Sequence, residues 1–123
     1  MTDRYSSFER GSTRWLLQRV TAAFLVVVLA FHFFQLHFLN HAYEVTFAGT
    51  RARMQQPAYF LTMVAFLLAA TFHGVNGVYN TLVNLGVDGV QETAIRYALV
   101  AAGIALVVQG IRVATVMAGV SIG

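Results

Sequence analysis

LTMVAFLLAATFHGVNGVYN, at residues 61–80, contains no aspartate, glutamate, lysine or arginine. A helix of about 20 apolar residues is long enough to cross the hydrocarbon core of a bilayer. Three apolar runs of this kind are present, and the predicted spans are residues 14–40, 57–85 and 93–118. Short connections, including a polar one at residues 41–55, favour antiparallel neighbours. The predicted fold is therefore an all-α membrane protein with three antiparallel transmembrane helices in one domain, residues 1–123.

The composition limits the chemistry that this chain can perform. Its 123 residues are 58% hydrophobic and 11% charged, whereas soluble domains have about 25% charged residues. Three spans leave no room for a separate soluble domain, which argues against a self-contained enzyme for water-soluble substrates. Without cysteine, the chain can form no disulfide, thiolate zinc site or iron–sulfur cluster. Redox chemistry here would need a histidine-ligated metal, a haem or a diffusing carrier.

The net charge of +3 comes from arginines that are scattered near the predicted span ends. This pattern favours lipid headgroups over nucleic acid as the partner of the positive charge. The arginines on the predicted N-terminal side of the membrane outnumber those on the other side, which predicts a cytoplasmic N-terminus. The first group is Arg4, Arg10, Arg14, Arg19 and Arg96, and the second is Arg51, Arg53 and Arg112.

Two histidines lie inside the predicted spans. Residues on the helical face of His73 are Thr62, Ala69, Asn76, Gly77, Asn80 and Asn84, and those on the face of His32 are Gln18, Thr21 and Gln35. Ionisable groups inside spans are rare and mark an ion path, a proton relay or a cofactor. The alternatives for His73 and His32 are a haem ligand, a proton relay and helix packing.

The surroundings of His73 fit a haem. Neutral imidazole is a good ligand for haem iron, and Gly74 and Gly77 leave room for a flat macrocycle. Arg19 lies about one turn inside the predicted cytoplasmic edge, where it can extend to headgroups, pair with an anionic cofactor group or bind a quinone carbonyl. His37 and His41 lie near the outer interface, where a solvated role is favoured over a two-histidine metal site.

Two segments resemble one family. WLLQRVTAAFLVVV (15–28) and HGVNGVYNTLVNLGV (73–87) are similar to the hydrophobic membrane-anchor subunits of succinate dehydrogenase (complex II), of cytochrome b556 type, and to the smaller, D-type anchor in particular. The resemblance implies that the chain is half of a six-helix bundle completed by a second hydrophobic anchor subunit. It also implies one or two haems b, a quinone as substrate, and attachment of an iron–sulfur subunit and a flavoprotein subunit.

Residue roles follow from the same resemblance. His73 would be an axial ligand of haem iron, and His32 fits the first-helix histidine of the members with two haems. Arg19 corresponds to an arginine near the haem propionates and the quinone. Relatives have an Asp-Tyr pair near the end of the second helix, where this chain has Asn84-Leu85. The quinone contact is therefore expected from Tyr79, Asn84 or the partner anchor subunit.

The implied function is electron transfer from succinate to quinone in the tricarboxylic acid cycle, at a prokaryotic plasma membrane. This chain would hold cofactors and anchor the soluble subunits, without catalytic activity of its own. One alternative is the anchor of a fumarate reductase or another small bis-histidine membrane cytochrome. An alternative of another class is a structural or transporter subunit without haem.

Overall fold

The computed structural model describes residues 12–39 and 41–120, so that Arg4, Arg10 and Asn40 lie outside the described residues. The helices are α1 (Thr13–Phe34), α2 (Phe47–Met54), α3 (Pro57–Asn84) and α4 (Gly89–Met117). A π-helical turn, Gln35–Leu39, continues α1, and a single 3-10 turn, Ala42–Glu44, precedes α2. The described part of the chain has no strand and holds three helices long and apolar enough to cross a membrane. The predicted all-α membrane class is confirmed.

Local sequence explains where the helices begin and end. Ser12 accepts a hydrogen bond from the backbone N–H of Trp15 at 3.1 Å, which satisfies one free donor at the start of α1. Pro57 occupies the first turn of α3, where its missing N–H costs nothing. After α3, Gly86 adopts a φ of +99°, a left-handed conformation that glycine tolerates best. The chain can therefore reverse direction within a few residues.

The third long helix begins at Gly89 instead of residue 93, the predicted start of the third span. Its first turn contains Glu92, whose negative charge is favourable beside the exposed N–H groups of a helix N-terminus. In the hydropathy pattern Glu92 belongs to a polar loop, whereas in the structure it is part of the helix. This difference matters for the site, because Glu92 then faces α3.

The central helix is α3, which packs against α1 and against α4. The α3–α4 approach is close: a Cβ added at Gly110 would lie 2.5 Å from Cδ2 of Leu67, and one added at Gly103 would lie 3.1 Å from Cγ2 of Val75. Small residues that let two backbones approach are typical of helix contacts in membranes. The two glycines thus set the α3–α4 distance.

The distribution of buried residues is the reverse of that in a soluble domain, because large apolar side chains are exposed and polar ones are buried. Large apolar side chains face outward, with Val26 68%, Phe31 66% and Ile104 61% exposed, whereas Asn76 and Asn80 are 8% and 3% exposed. An apolar surface of this extent would aggregate in water. It suits contact with lipid.

Helix α2 was missed in the sequence, where residues 41–55 are predicted only as a polar connection. The helix has eight residues and packs against α3 and α4, at the end where α3 begins. Thr46 accepts a hydrogen bond from the backbone N–H of Gly49 at 3.0 Å and so caps its N-terminus. Arg53, in its last turn, is thereby placed beside the end of α1.

Candidate functional site

His73 is oriented by α1. Its Nδ1 lies 3.2 Å from the hydroxyl oxygen of Thr21, and that hydroxyl lies 2.7 Å from the carbonyl oxygen of Leu17. A threonine hydroxyl has one proton, which the shorter contact to the carbonyl takes. With that proton directed to the carbonyl, the hydroxyl oxygen is available as an acceptor for Nδ1–H of His73. The tautomer with its proton on Nδ1 has an unprotonated Nε2, which is the form that binds a metal.

An amide pair continues the α1–α3 contact. Asn76 donates from Nδ2 to Oε1 of Gln18 at 2.8 Å, and Gln18 donates from Nε2 to the carbonyl oxygen of His73 at 3.4 Å. Both Gln18 and Thr21 lie on the helical face that the sequence assigns to His32. The structure instead brings them to His73.

The two glycines beside His73 have different surroundings. A Cβ added at Gly77 would lie 3.4 Å from Nε2 of Gln18, whereas one added at Gly74 would meet nothing within 4 Å. Gly77 therefore lies in the α1–α3 contact. Of the two glycines predicted to make room for a macrocycle, Gly74 is the one that borders open space.

A cavity of about 220 Å³ lies between α1, α3 and α4, and it is called the inner cavity here. Its polar side chains are Arg14, Asn76, Tyr79 and Arg96, and its apolar ones are Phe72, Val75, Leu99 and Val100. Tyr79 donates its hydroxyl proton to Oε1 of Glu92 at 2.6 Å. The cavity thus combines two guanidinium groups, a Tyr–Glu hydrogen bond and an apolar wall.

Of the quinone-site candidates, Tyr79 lines the inner cavity and Asn84 does not. Asn84 is the exposed last residue of α3. Arg19 is also exposed and does not line the cavity, and its guanidinium carbon lies 4.6 Å from the ring centroid of Trp15. The arginines at the cavity are instead Arg14 and Arg96. Both lie at ends of predicted antiparallel spans, and this shared position could have identified them from the sequence.

His32 lies in a separate place. It lines a cavity of about 290 Å³, called the outer cavity, together with Gln35, Leu36, Ala42, Val45, Thr50, Arg53 and Tyr59. These residues come from the end of α1 and its π-helical continuation, from the connection that contains the 3-10 turn, from α2 and from the start of α3. The structure therefore assigns the two half-buried histidines, His32 and His73, to two sites.

The remaining histidines make local contacts. His37 stacks on Phe33 at a centroid distance of 4.0 Å, and His41 stacks on Tyr43 at 5.5 Å. Over residues 12–39 and 41–120, no group of three or more His, Asp or Glu side chains could hold a metal ion.

Comparison with known proteins adds an independent finding. Residues 3–111 match the family model described as "Succinate dehydrogenase/Fumarate reductase transmembrane subunit". The chain is 30% identical over 64 residues to the succinate dehydrogenase hydrophobic membrane anchor subunit of Archaeoglobus fulgidus, a match that covers 52% of this chain and 54% of that relative. The chain thus spans about half the length of the curated relative that it matches. No solved structure matches it.

Proposed function

Because this chain belongs to the succinate dehydrogenase/fumarate reductase transmembrane subunit family, we propose that it is a haem-binding membrane anchor of succinate dehydrogenase. It pairs with a second hydrophobic anchor subunit in a six-helix bundle and holds the iron–sulfur and flavoprotein subunits at a prokaryotic plasma membrane. Its N-terminus is cytoplasmic. The name of the Archaeoglobus fulgidus relative favours a succinate dehydrogenase over a fumarate reductase.

The observation that carries the haem assignment is the hydrogen bond between Thr21 and His73. Histidines that bind metal donate their other ring N–H to a fixed acceptor, and Thr21 is that acceptor here. The open space beside Gly74 gives a planar ring room next to the imidazole. His73 holds a haem b through Nε2, and the haem supplies one-electron redox chemistry when bound.

A further ligand to this haem would come from the partner anchor subunit. His32 lines the outer cavity, away from Thr21 and His73. His37 and His41 are occupied by their own neighbouring aromatic rings. A haem at the interface between the two anchors also explains why His73 lies beside open space on an isolated chain.

Quinone reduction takes place at the inner cavity. The reaction adds two electrons and two protons to a quinone and produces a quinol. Arg14 and Arg96 donate hydrogen bonds to a carbonyl oxygen of the ring, which stabilises the negative charge that develops there. The Tyr79–Glu92 hydrogen bond joins the cavity to the first turn of α4. Once Glu92 has taken up a proton from solvent, it can protonate the Tyr79 oxygen as Tyr79 gives its own proton to the reduced ring, while the electrons come from the iron–sulfur subunit.

The test of this proposal is a reduced-minus-oxidised absorption spectrum of the purified complex. A b-type haem band is expected in the wild type, and His73→Ala is expected to remove one haem. His37→Ala is the matched control, because it deletes a histidine that bonds to the backbone of its own helix. A spectrum without a b-type band would leave the alternative of a structural or transporter subunit without haem. Full haem content in His73→Ala would instead show that His73 is not a haem ligand.

A further inference from the structure

Arg53 has a buried donor that is not satisfied. Its Nε atom is buried and has no hydrogen-bond partner in the described part of the chain. A buried donor without an acceptor destabilises the folded protein, and a charged donor does so more strongly than a neutral one. Such a group in a native protein therefore requires an explanation, of which a bound ligand is one.

The surroundings of Arg53 are a cavity and not a packed core. Arg53 lines the outer cavity of about 290 Å³ and also a neighbouring cavity of about 340 Å³. Glu44 lines that neighbouring cavity, but its carboxylate does not satisfy the Nε–H of Arg53. The acceptor for this donor must come from outside the described residues.

The outer cavity has a polar and an apolar side. Four side chains besides Arg53 can form hydrogen bonds in it, namely His32, Gln35, Thr50 and Tyr59, and its apolar residues are Leu36, Ala42 and Val45. Gln35 and Leu36 belong to the π-helical turn that continues α1. Turns of this kind are rare and occur frequently at functional sites.

The outer cavity lies near the ends of two candidate membrane spans, the one formed by α1 with its π-helical turn and the one formed by α3. His32 is seven residues from the end of the π-helical turn at Leu39, or roughly 10 Å along the helix axis. Tyr59 lies in the first turn of α3, and Arg53 lies in the last turn of α2. A ligand here can place a charged group near the surface and an apolar body toward the bilayer.

We propose that the outer cavity binds an anionic oxygen group, a carboxylate or a phosphate, that accepts a hydrogen bond from Nε of Arg53. Two sources have this chemistry: the propionate of a haem held by His32, and the phosphate of a lipid headgroup. The propionate source rests on the proposed function, whereas the lipid source does not. Arginine is suited to both, because its guanidinium presents several donors in a fixed plane.

The experiment compares Arg53→Gln with Arg51→Gln in the purified complex. Both variants remove one arginine from the last turn of α2, but Arg51 is exposed and lines neither cavity. Haem content and midpoint potentials report on the propionate. Native mass spectrometry of bound phosphatidylglycerol, with phosphatidylcholine as the neutral comparison, reports on the phosphate.

For the propionate source, Arg53→Gln is expected to act on the same haem that His32→Ala removes. Loss of a positive charge favours oxidised iron, by about tenfold in the ratio of oxidised to reduced haem, which is about 59 mV for a one-electron couple. For the lipid source, Arg53→Gln is expected to retain about tenfold less phosphatidylglycerol with unchanged haem. Arg51→Gln is expected to change neither quantity.

The outcomes separate this inference from the proposed function. Equal haem properties and equal lipid retention in the two variants would overturn the inference and leave the role of His73 intact. A complex without haem would instead overturn the haem assignment, and the lipid measurement would still decide the cavity. If Arg53→Gln does not assemble, Arg53→Lys keeps the charge and lacks the Nε–H, so that unchanged anion retention in this variant would overturn the role of Nε.

Discussion

The hydroxyl oxygen of Thr21 lies 3.2 Å from Nδ1 of His73 and 2.7 Å from the backbone carbonyl oxygen of Leu17. The hydroxyl can donate its proton to the carbonyl and accept from Nδ1–H of the imidazole. A side chain on α1 thus favours one tautomer of a histidine on α3. The polar stripe in the sequence identifies the face of α1 on which Thr21 lies. Only the α1–α3 contact shows that Thr21 bonds to His73 and not to His32.

Thr21→Val is expected to raise the midpoint potential of the haem that we propose is held by His73. Loss of the acceptor makes the imidazole a weaker donor to iron and so favours the reduced form. One neutral hydrogen bond is worth about 1 kcal/mol, which is on the order of 40 mV for one electron. Redox titration of the complex measures the shift.

Thr21→Ser is the matched control, because serine keeps the hydroxyl and loses only the methyl group. Its potential is expected to stay at the wild-type value. Equal potentials in the Val variant and the wild type would show that the hydrogen bond does not reach the iron. A common shift in both variants would assign the effect to packing.

The amide pair between Gln18 and Asn76 is expected to stabilise the α1–α3 contact. Gln18→Leu and Asn76→Leu each leave one amide without its partner, at a distance of 2.8 Å in the wild type. Interhelical hydrogen bonds in membranes are worth about 0.6 kcal/mol on average and about 1.7 kcal/mol at most. Each single variant is expected to lower the thermal stability of the complex by an amount in that range.

The double variant Gln18→Leu/Asn76→Leu tests whether the two amides act together. Because neither amide is then left unpaired, its loss of stability is expected to be smaller than the sum of the two single losses. Strict additivity, measured by thermal unfolding of the detergent-solubilised complex, would contradict a direct energetic coupling between the two side chains.

The three long helices can be predicted from the sequence because each contains a long apolar run. Helix α2 cannot, because eight residues that include Arg51 and Arg53 have neither the length nor the hydropathy of a span. The early start of α4 at Gly89 is missed for a related reason. Glu92 lowers the hydropathy of a turn whose helical geometry it stabilises.

The site is less predictable than the fold. Helical periodicity places Gln18 and Thr21 on one face with His32, but it contains no information about which helix that face meets. The packing of α1 on α3 brings both to His73 and leaves His32 beside Arg53. The residues that share a helical face can be predicted from the local sequence. The helix that packs against that face depends on how the helices assemble.

The Tyr79–Glu92 hydrogen bond is expected to assist quinone reduction at the inner cavity. Tyr79→Phe and Glu92→Gln each interrupt the path of a proton, and general acid–base groups contribute about 10²–10⁴-fold to rates. Turnover with a soluble quinone analogue is expected to fall by at least about tenfold, with reduction of the iron–sulfur centres by succinate unchanged. The haem spectrum should also be unchanged, because neither residue contacts His73.

Tyr97→Phe is the matched control for Tyr79→Phe. Tyr97 is an exposed tyrosine on α4 that does not line the inner cavity. Turnover of the Tyr97→Phe complex with the quinone analogue is expected to equal that of the wild type. If both phenylalanine variants reduce the quinone analogue at the wild-type rate, the inner cavity is not the place where the proton is delivered.

Alanine substitution is expected to affect haem binding at Gly74 but not at Gly77. A Cβ at Gly74 meets nothing in this chain within 4 Å, and replacing a glycine inside a helix with alanine stabilises the helix by about 1 kcal/mol. The isolated chain therefore gives no reason for Gly74→Ala to be harmful. If a macrocycle lies against His73, the added methyl group occupies its space, so that haem content should fall or the spectrum should shift.

Gly77→Ala separates this steric effect from a general effect on α3. Its Cβ would meet Nε2 of Gln18 at 3.4 Å, an ordinary contact that the α1–α3 interface can accept. Normal haem in Gly77→Ala together with perturbed haem in Gly74→Ala would locate the macrocycle on the open side of His73. Normal haem in both variants would show that the ring lies elsewhere, because no other atom of the described chain competes for the space at Gly74.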